Sequence, residues 1–191
     1  DTFTIGDTDV DPGTVTTITL APEGVLDVTD FVISGNFGYY GDLSLNVANM
    51  NIDADSVISA TSKGYAAGEG PGVGTVDGEY GGGGGHGGIG GTDHGVGGSR
   101  YGSARQPVTE GSGGNAGGGS RGGAGGGAIH LVVANTLTVD GTLASNGTGG
   151  VAYGSGGAGG SIFIETDTFA GAGVLEANGG TGGDAYGIHA G

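Results

Sequence analysis

The chain has 191 residues, 53 of them glycine, with 20 acidic against 4 basic side chains, a formal net charge of −16 and no cysteine. That balance argues against a nucleic-acid partner, because phosphate binding needs a basic surface, and it excludes a disulfide framework. No strict Gly-X-Y period is present, so a collagen triple helix is a poor match, and no apolar run approaches the length of a membrane span.

In chain order, the first strand-like stretches are Thr2-Phe3-Thr4-Ile5 and residues 14–20 and 25–34, rich in β-branched and aromatic side chains. Between the first two, Asp7-Thr8-Asp9-Val10-Asp11 sets three carboxylates at alternate positions, as an oxygen-rich calcium loop does. Pro12 stands where an EF-hand needs its sharp-turn glycine and Ile18 where it needs its closing Glu. Asp7, Asp9 and Asp11 are the candidate metal ligands, and calcium is the cofactor they suggest. The Thr pairs of residues 14–19 do not recur at a fixed period, so a flat ice-binding face is not supported.

From Gly41 onward the chain repeats itself. Gly127-Ala128-Ile129-His130-Leu131 lies over Gly160-Ser161-Ile162-Phe163-Ile164, an offset of 160 − 127 = 33, and Leu143 then meets Leu175 at 175 − 143 = 32. A weaker copy places Leu43, Leu45 and Val47 on Ile129, Leu131 and Val133, and Asn49 on Asn135. Each copy opens as an alternating apolar strand, and a period of roughly 20 to 50 residues is the signature of stacked units that bury their apolar rows on one another. His130 alternates with Ile129 and Leu131 and is expected to point away from the core. Tyr153 and Tyr186, one repeat apart, are expected to stack as a ladder.

Glycine fills about half of the positions between Gly81 and Gly126. A floppy segment of that length inside a compact domain would be unusual, so these tracts read as extended, polyproline-II-like segments with about three residues per turn, packed closely because no side chain intervenes. All four cations, Lys63, Arg100, Arg105 and Arg121, lie in or beside this region and are expected to pair with carboxylates or cap carbonyls there.

The ordered series His86-Gly87-Gly88, Gly97-Gly98-Ser99-Arg100-Tyr101-Gly102-Ser103, Pro107, Gly111-Ser112-Gly113-Gly114 and Gly125-Gly126-Gly127-Ala128-Ile129 resembles the glycine-rich repeat of secreted and cell-surface proteins, found widely in bacteria and also in plants. Its continuation through Leu137-Thr138-Val139-Asp140-Gly141, Asn146-Gly147 and Gly156-Gly157-Ala158-Gly159-Gly160 resembles it equally well. The resemblance implies an extracellular structural or adhesive role.

Catalysis finds little support. The histidines His86, His94, His130 and His189 show no metal-binding spacing, and no triad or acid pair can be assembled from the sequence. The chain is therefore read as a non-enzyme. Asn146-Gly147-Thr148 is a glycosylation sequon, but Asn146 matches Asn178, which has none, so turn geometry explains the asparagine better.

The sequence predicts an all-β fold: a short parallel β-helix or β-solenoid with glycine-rich polyproline-II-like segments. Residues 1–40 form an N-terminal strand region serving as cap or assembly strand, and residues 41–191 the solenoid, with a glycine-rich insertion at 64–126. The expected function is that of an extracellular structural protein that self-assembles head to tail into a filament, the assembly ends being Thr2, Phe3, Thr4 and Ile5 on one side and Ile162, Ile164 and Leu175 on the other. Open ends of stacked strands offer unpaired backbone groups to a neighbour, and head-to-tail contacts that do not close give filaments. The alternative is a cell-surface adhesin recognising a glycan or a surface protein.

Overall fold

The computed structural model describes residues 2–5, 16–19, 25–28, 30–33, 42–52, 54, 57–92 and 95–184. Among the described residues there are twelve strands: β1 (Thr2–Ile5), β2 (Thr16–Thr19), β3 (Val25–Val28), β4 (Asp30–Ile33), β5 (Asp42–Ile52), β6 (Val57–Ser59), β7 (Val76–Asp77), β8 (Tyr80–Gly81), β9 (Ala128–Val139), β10 (Thr142–Ala144), β11 (Ser161–Ala170) and β12 (Val174–Glu176). No helix occurs among the described residues, and none is therefore long and apolar enough to cross a membrane.

The largest sheet runs β11-β9-β5-β2, with β3 also pairing β5, and all its pairings are parallel. A second parallel sheet runs β12-β10-β6. Its pairing sets Ile58 beside Leu143 and Leu143 beside Leu175. β1 pairs β4 in parallel, and β7 and β8 form a short antiparallel pair.

The repeat is thus written into the register. Ile162 lies beside Ile129, and Ile129 beside Leu43. β9 holds one residue more than either neighbour at Ala134-Asn135, so the register shifts against both β5 and β11. That bulge returns Phe169 and Met50 to the row of Leu137. It also corrects one alignment: Asn49 lies opposite Thr136, not Asn135.

Alternation in β9 decides what is buried. Ile129, Leu131, Val133, Leu137 and Val139 turn inward and His130 stays half-exposed. These inward residues meet Met50, Ile52, Ile58, Ala60 and Leu143 in one apolar core.

The closed β-helix or β-solenoid expected from the repeat is not what forms. The described strands fall into four separate sheets, parallel and antiparallel together, and no strand coil closes. The reason lies in the glycine-rich chain between β6 and β9. Apart from the two-residue strands β7 and β8, it builds no strand, because glycine has no side chain to pack on a pleated surface and loses the most entropy on ordering.

The glycine-rich stretches pack instead as a bundle of extended segments. Gly111 N–H donates to Gly126 O and Gly114 N–H to Gly123 O. Gly123 N–H donates to Ser155 O and Gly126 N–H to Ala158 O, and Gly147 and Gly150 donate to Asn178 O and Thr181 O in the same rhythm. The step of three residues is the period of a left-handed extended chain that makes no internal hydrogen bonds and sends them all to neighbours. A Cβ on Gly114, Gly123 or Gly157 would fall on the carbonyl of Ser155, Thr148 or Ala124, so only glycine allows these segments to lie this close.

Candidate functional site: an exposed last layer and a glycine-walled cleft

Among the described residues three elements lie outermost on one side: β11 beyond β9, β12 beyond β10, and segment 177–183 beyond segment 145–151. In the preceding layer Leu137 and Leu143 are each 0% exposed, whereas their register partners Phe169 and Leu175 are 53% and 43% exposed. Ile162 and Ile164 are half-buried beside the buried Ile129 and Leu131. Val174 is exposed as well.

The extended segment repeats the pattern. Gly180 and Gly183 face inward, where a Cβ would strike the backbone of Thr148 and Val151. Gly182 would meet nothing within 4 Å and Gly179 only loose contacts, although neither has a left-handed φ. Elsewhere in the bundle such outward positions face the next segment, as the site of a Cβ on Gly156 faces Gly180 O.

The assembly residues read from the sequence are therefore placed apart. Thr2, Phe3, Thr4 and Ile5 lie in β1, in register with Asp30, Phe31, Val32 and Ile33 of the same chain. β4 lies beside β6, while Leu175 in β12 lies on the other side of β10, and Ile162 and Ile164 lie in the other large sheet. The candidate calcium ligands Asp7, Asp9 and Asp11 lie outside the described residues, as do His94, Tyr186 and His189. Among the described residues no group of three or more His, Asp or Glu side chains is arranged to hold a metal. Tyr153, whose expected partner is Tyr186, meets Tyr80 edge-on at 5.4 Å.

An open cleft of about 700 Å³ lies between residues 84–89, residues 100–107 and the last layer at 158–161, 177 and 179. His86 and Tyr101 stand in its wall with ring centroids 4.9 Å apart. His86 Nδ1 lies 3.0 Å from Gly159 O, which can only accept, so Nδ1 carries the proton. Nε2 is 2.9 Å from the Thr109 hydroxyl. Burial pushes the His86 pKa below its ordinary value, against the opposing effect of backbone hydrogen bonds with Gly159 and Gly160.

Tyr101 ends a chain of donors. Gly72 N–H donates to Ser112 Oγ at 2.8 Å, Ser112 Oγ–H to the Tyr101 hydroxyl at 3.0 Å, and Tyr101 O–H to Glu110 O at 2.5 Å. Burial raises the Tyr101 pKa to about 12, the Ser112 hydrogen bond pulling it down and the nearby Tyr65 and Glu110 adding to the rise. These bonds fix the ring.

The four cations depart from the sequence expectation. Lys63, Arg100, Arg105 and Arg121 form no ion pair with a described carboxylate; the one pair among the described residues is His130 with Glu165, at 3.0 Å. The sequence did not reveal the cleft, although His86-Gly87-Gly88 and Ser99-Arg100-Tyr101 belong to the ordered series that carries the family resemblance. No protein-family model matches this chain, and no curated protein or solved structure is significantly similar to it.

Proposed function

We propose that this is an extracellular structural protein whose copies stack head to tail into a filament, the layer of β11, β12 and segment 177–183 being the accepting face. The observation that carries this reading is the contrast between two equivalent layers: Leu137 and Leu143 are fully buried, while Phe169 and Leu175 in the same rows are half-exposed. Covering the exposed half of one such side chain stabilises by about 1 kcal/mol, and the edges of β11 and β12 that pair with no described strand offer hydrogen bonds in addition. The outward Gly179 and Gly182 leave room for another extended segment to approach closely.

The resemblance of the glycine tracts to repeats of secreted and cell-surface proteins supports the extracellular setting. A net charge of −16 opposes close approach of copies, so screening by salt or a divalent cation favours association.

Negative-stain electron microscopy and sedimentation of the full chain, at low and high salt and with calcium or a chelator, test this reading. Filaments are expected for the native chain, and Leu175→Asp and Gly182→Val are expected to abolish them without changing the far-UV circular dichroism. Uniform native monomers under every condition, or filaments that persist in both variants, overturn the reading.

A further inference from the structure

The stacking reading leaves the cleft beside His86 unused. At most glycines of the bundle an added Cβ would strike a neighbouring segment, but at Gly87 and Gly88, on the cleft wall, it would meet nothing within 4 Å. Neither residue has a left-handed φ. Glycine there costs roughly 0.5–1 kcal/mol against alanine in ordering entropy, and no contact within the described chain requires it. Bare main chain facing a cleft is suited to a ligand that approaches the backbone itself.

The exposed groups indicate the chemistry of that ligand. The amides of Gly87, Gly88, Gly102 and Ser103 donate to no described residue. Arg100 lines the same cleft, is exposed and forms no ion pair with a described carboxylate, in a chain where acids outnumber bases 20 to 4. These amides and the carbonyls beside them can bond the hydroxyls of a ligand, and Arg100, the one described cation lining the cleft, favours an anionic one. Its apolar side chains are those of Ile89, Ala104, Pro107, Ala158 and Ala177 with the ring of Tyr101. A peptide that binds by adding a strand would need a sheet edge, and apart from Ser161, the first residue of β11, no described strand lines the cleft.

We propose that this cleft binds a uronic-acid-containing saccharide, its carboxylate on Arg100 and its hydroxyls on the exposed main chain of residues 87–88 and 102–103. The proposal does not depend on stacking. Ala177 and Gly179 of the last layer form one wall, so a neighbouring copy would border the site.

The test is calorimetric titration of the full chain with short oligogalacturonate, oligoguluronate and oligoglucuronate, beside neutral oligogalactose, in native protein and in the Leu175→Asp background where no copy can stack. At least one oligouronate is expected to bind in both proteins, with affinity falling as salt is added. Arg100→Gln is expected to weaken that binding about tenfold or more, and Gly88→Val to remove it, with unchanged circular dichroism and no fall in melting temperature. Absence of binding by every oligouronate in the Leu175→Asp protein, equal binding of the neutral oligomer, or an unchanged affinity in Arg100→Gln overturns the proposal.

Discussion

The backbone amide of Asn178 donates to the side-chain Oδ1 of Asn146 at 2.7 Å, clamping the last layer to the one before it. Asn146 Nδ2 donates in turn to Glu176 Oε1 at 2.9 Å, and its own amide reaches back to Thr61 Oγ1 at 3.3 Å. One corner of the structure is thus held by polar side chains that each serve the following layer. Asn178 occupies the position of Asn146 one layer further out and is exposed.

This relationship predicts an asymmetry between two chemically identical substitutions. Asn146→Ala removes the acceptor of the Asn178 amide and the bond to Glu176 in a half-buried place, and is expected to cost about 1–2 kcal/mol in urea unfolding. Asn178→Ala keeps its own backbone donation and is expected to change stability by less than about 0.5 kcal/mol. If Asn178 clamps an incoming copy as Asn146 clamps Asn178, the second variant raises the concentration needed for assembly, read by light scattering. Equal destabilisation by the two variants would remove the basis for treating the last layer as unfinished.

The glycines give a second contrast. Gly157→Ala sets a methyl group on the backbone of Ala124, and Gly114→Ala on that of Ser155, where neither neighbour can withdraw without breaking the three-residue hydrogen-bond pattern. Each is expected to lower stability by several kcal/mol or prevent folding, beyond the usual ~1–3 kcal/mol of overpacking. Gly182→Ala and Gly87→Ala meet open space without a left-handed φ, and are expected to be neutral or to stabilise by about 0.4–1 kcal/mol. Thermal unfolding of the four variants checks this.

Much of this architecture was legible in the chain. The offset of 33 falling to 32 is realised as the register of β11 on β9 and of β12 on β10, because a parallel pairing preserves whatever spacing the apolar residues carry. The position of the irregularity was not legible. Asn49 and Asn135 match as letters, yet β9 holds its extra residue at Ala134-Asn135 and Asn49 moves to Thr136. Closure was misjudged for a related reason: a strand repeat does not reveal that the intervening glycines, lacking side chains, bond to several neighbours in three-residue steps instead of extending a sheet. The cleft was invisible because its walls come from residues 84–107 and 158–179, which only that bundle brings together. The pairing of cations was misjudged because composition counts charges without placing them.

The outer face of the large sheet yields a modest expectation. His130 stacks on Phe163 with ring centroids 4.8 Å apart and an interplanar angle of 23°, and its Nε2 lies 3.0 Å from Glu165 Oε1. Glu165 is more than half-exposed, and an exposed pair contributes about 0–1 kcal/mol. Glu165→Gln is expected to leave the urea midpoint almost unchanged, whereas Phe163→Ala, which removes the ring contact and the area it covers, is expected to lower it measurably.

The cleft wall sets how stability follows pH. Burial lowers the His86 pKa below its ordinary 6.5, so as pH falls through that value the unfolded chain takes up a proton before the folded one does. The contribution of His86 is complete above about pH 6.5 and is lost progressively below it, until the folded imidazole titrates too. Tyr101 acts at the other extreme, its pKa raised from 10.0 to about 12 by burial. The unfolded phenol ionises first, so its contribution is complete below pH 10 and is lost between about pH 10 and 12. Melting curves from pH 4 to 12 are expected to show both slopes in the native chain. In His86→Gln the acid slope becomes shallower while the alkaline one persists, and in Tyr101→Phe the reverse holds, with a general loss of about 0.5–1.5 kcal/mol for the broken bond to Glu110 O. Identical acid slopes in native and His86→Gln protein would mean that carboxylates alone set the acid limit and that His86 is not held neutral in the cleft wall.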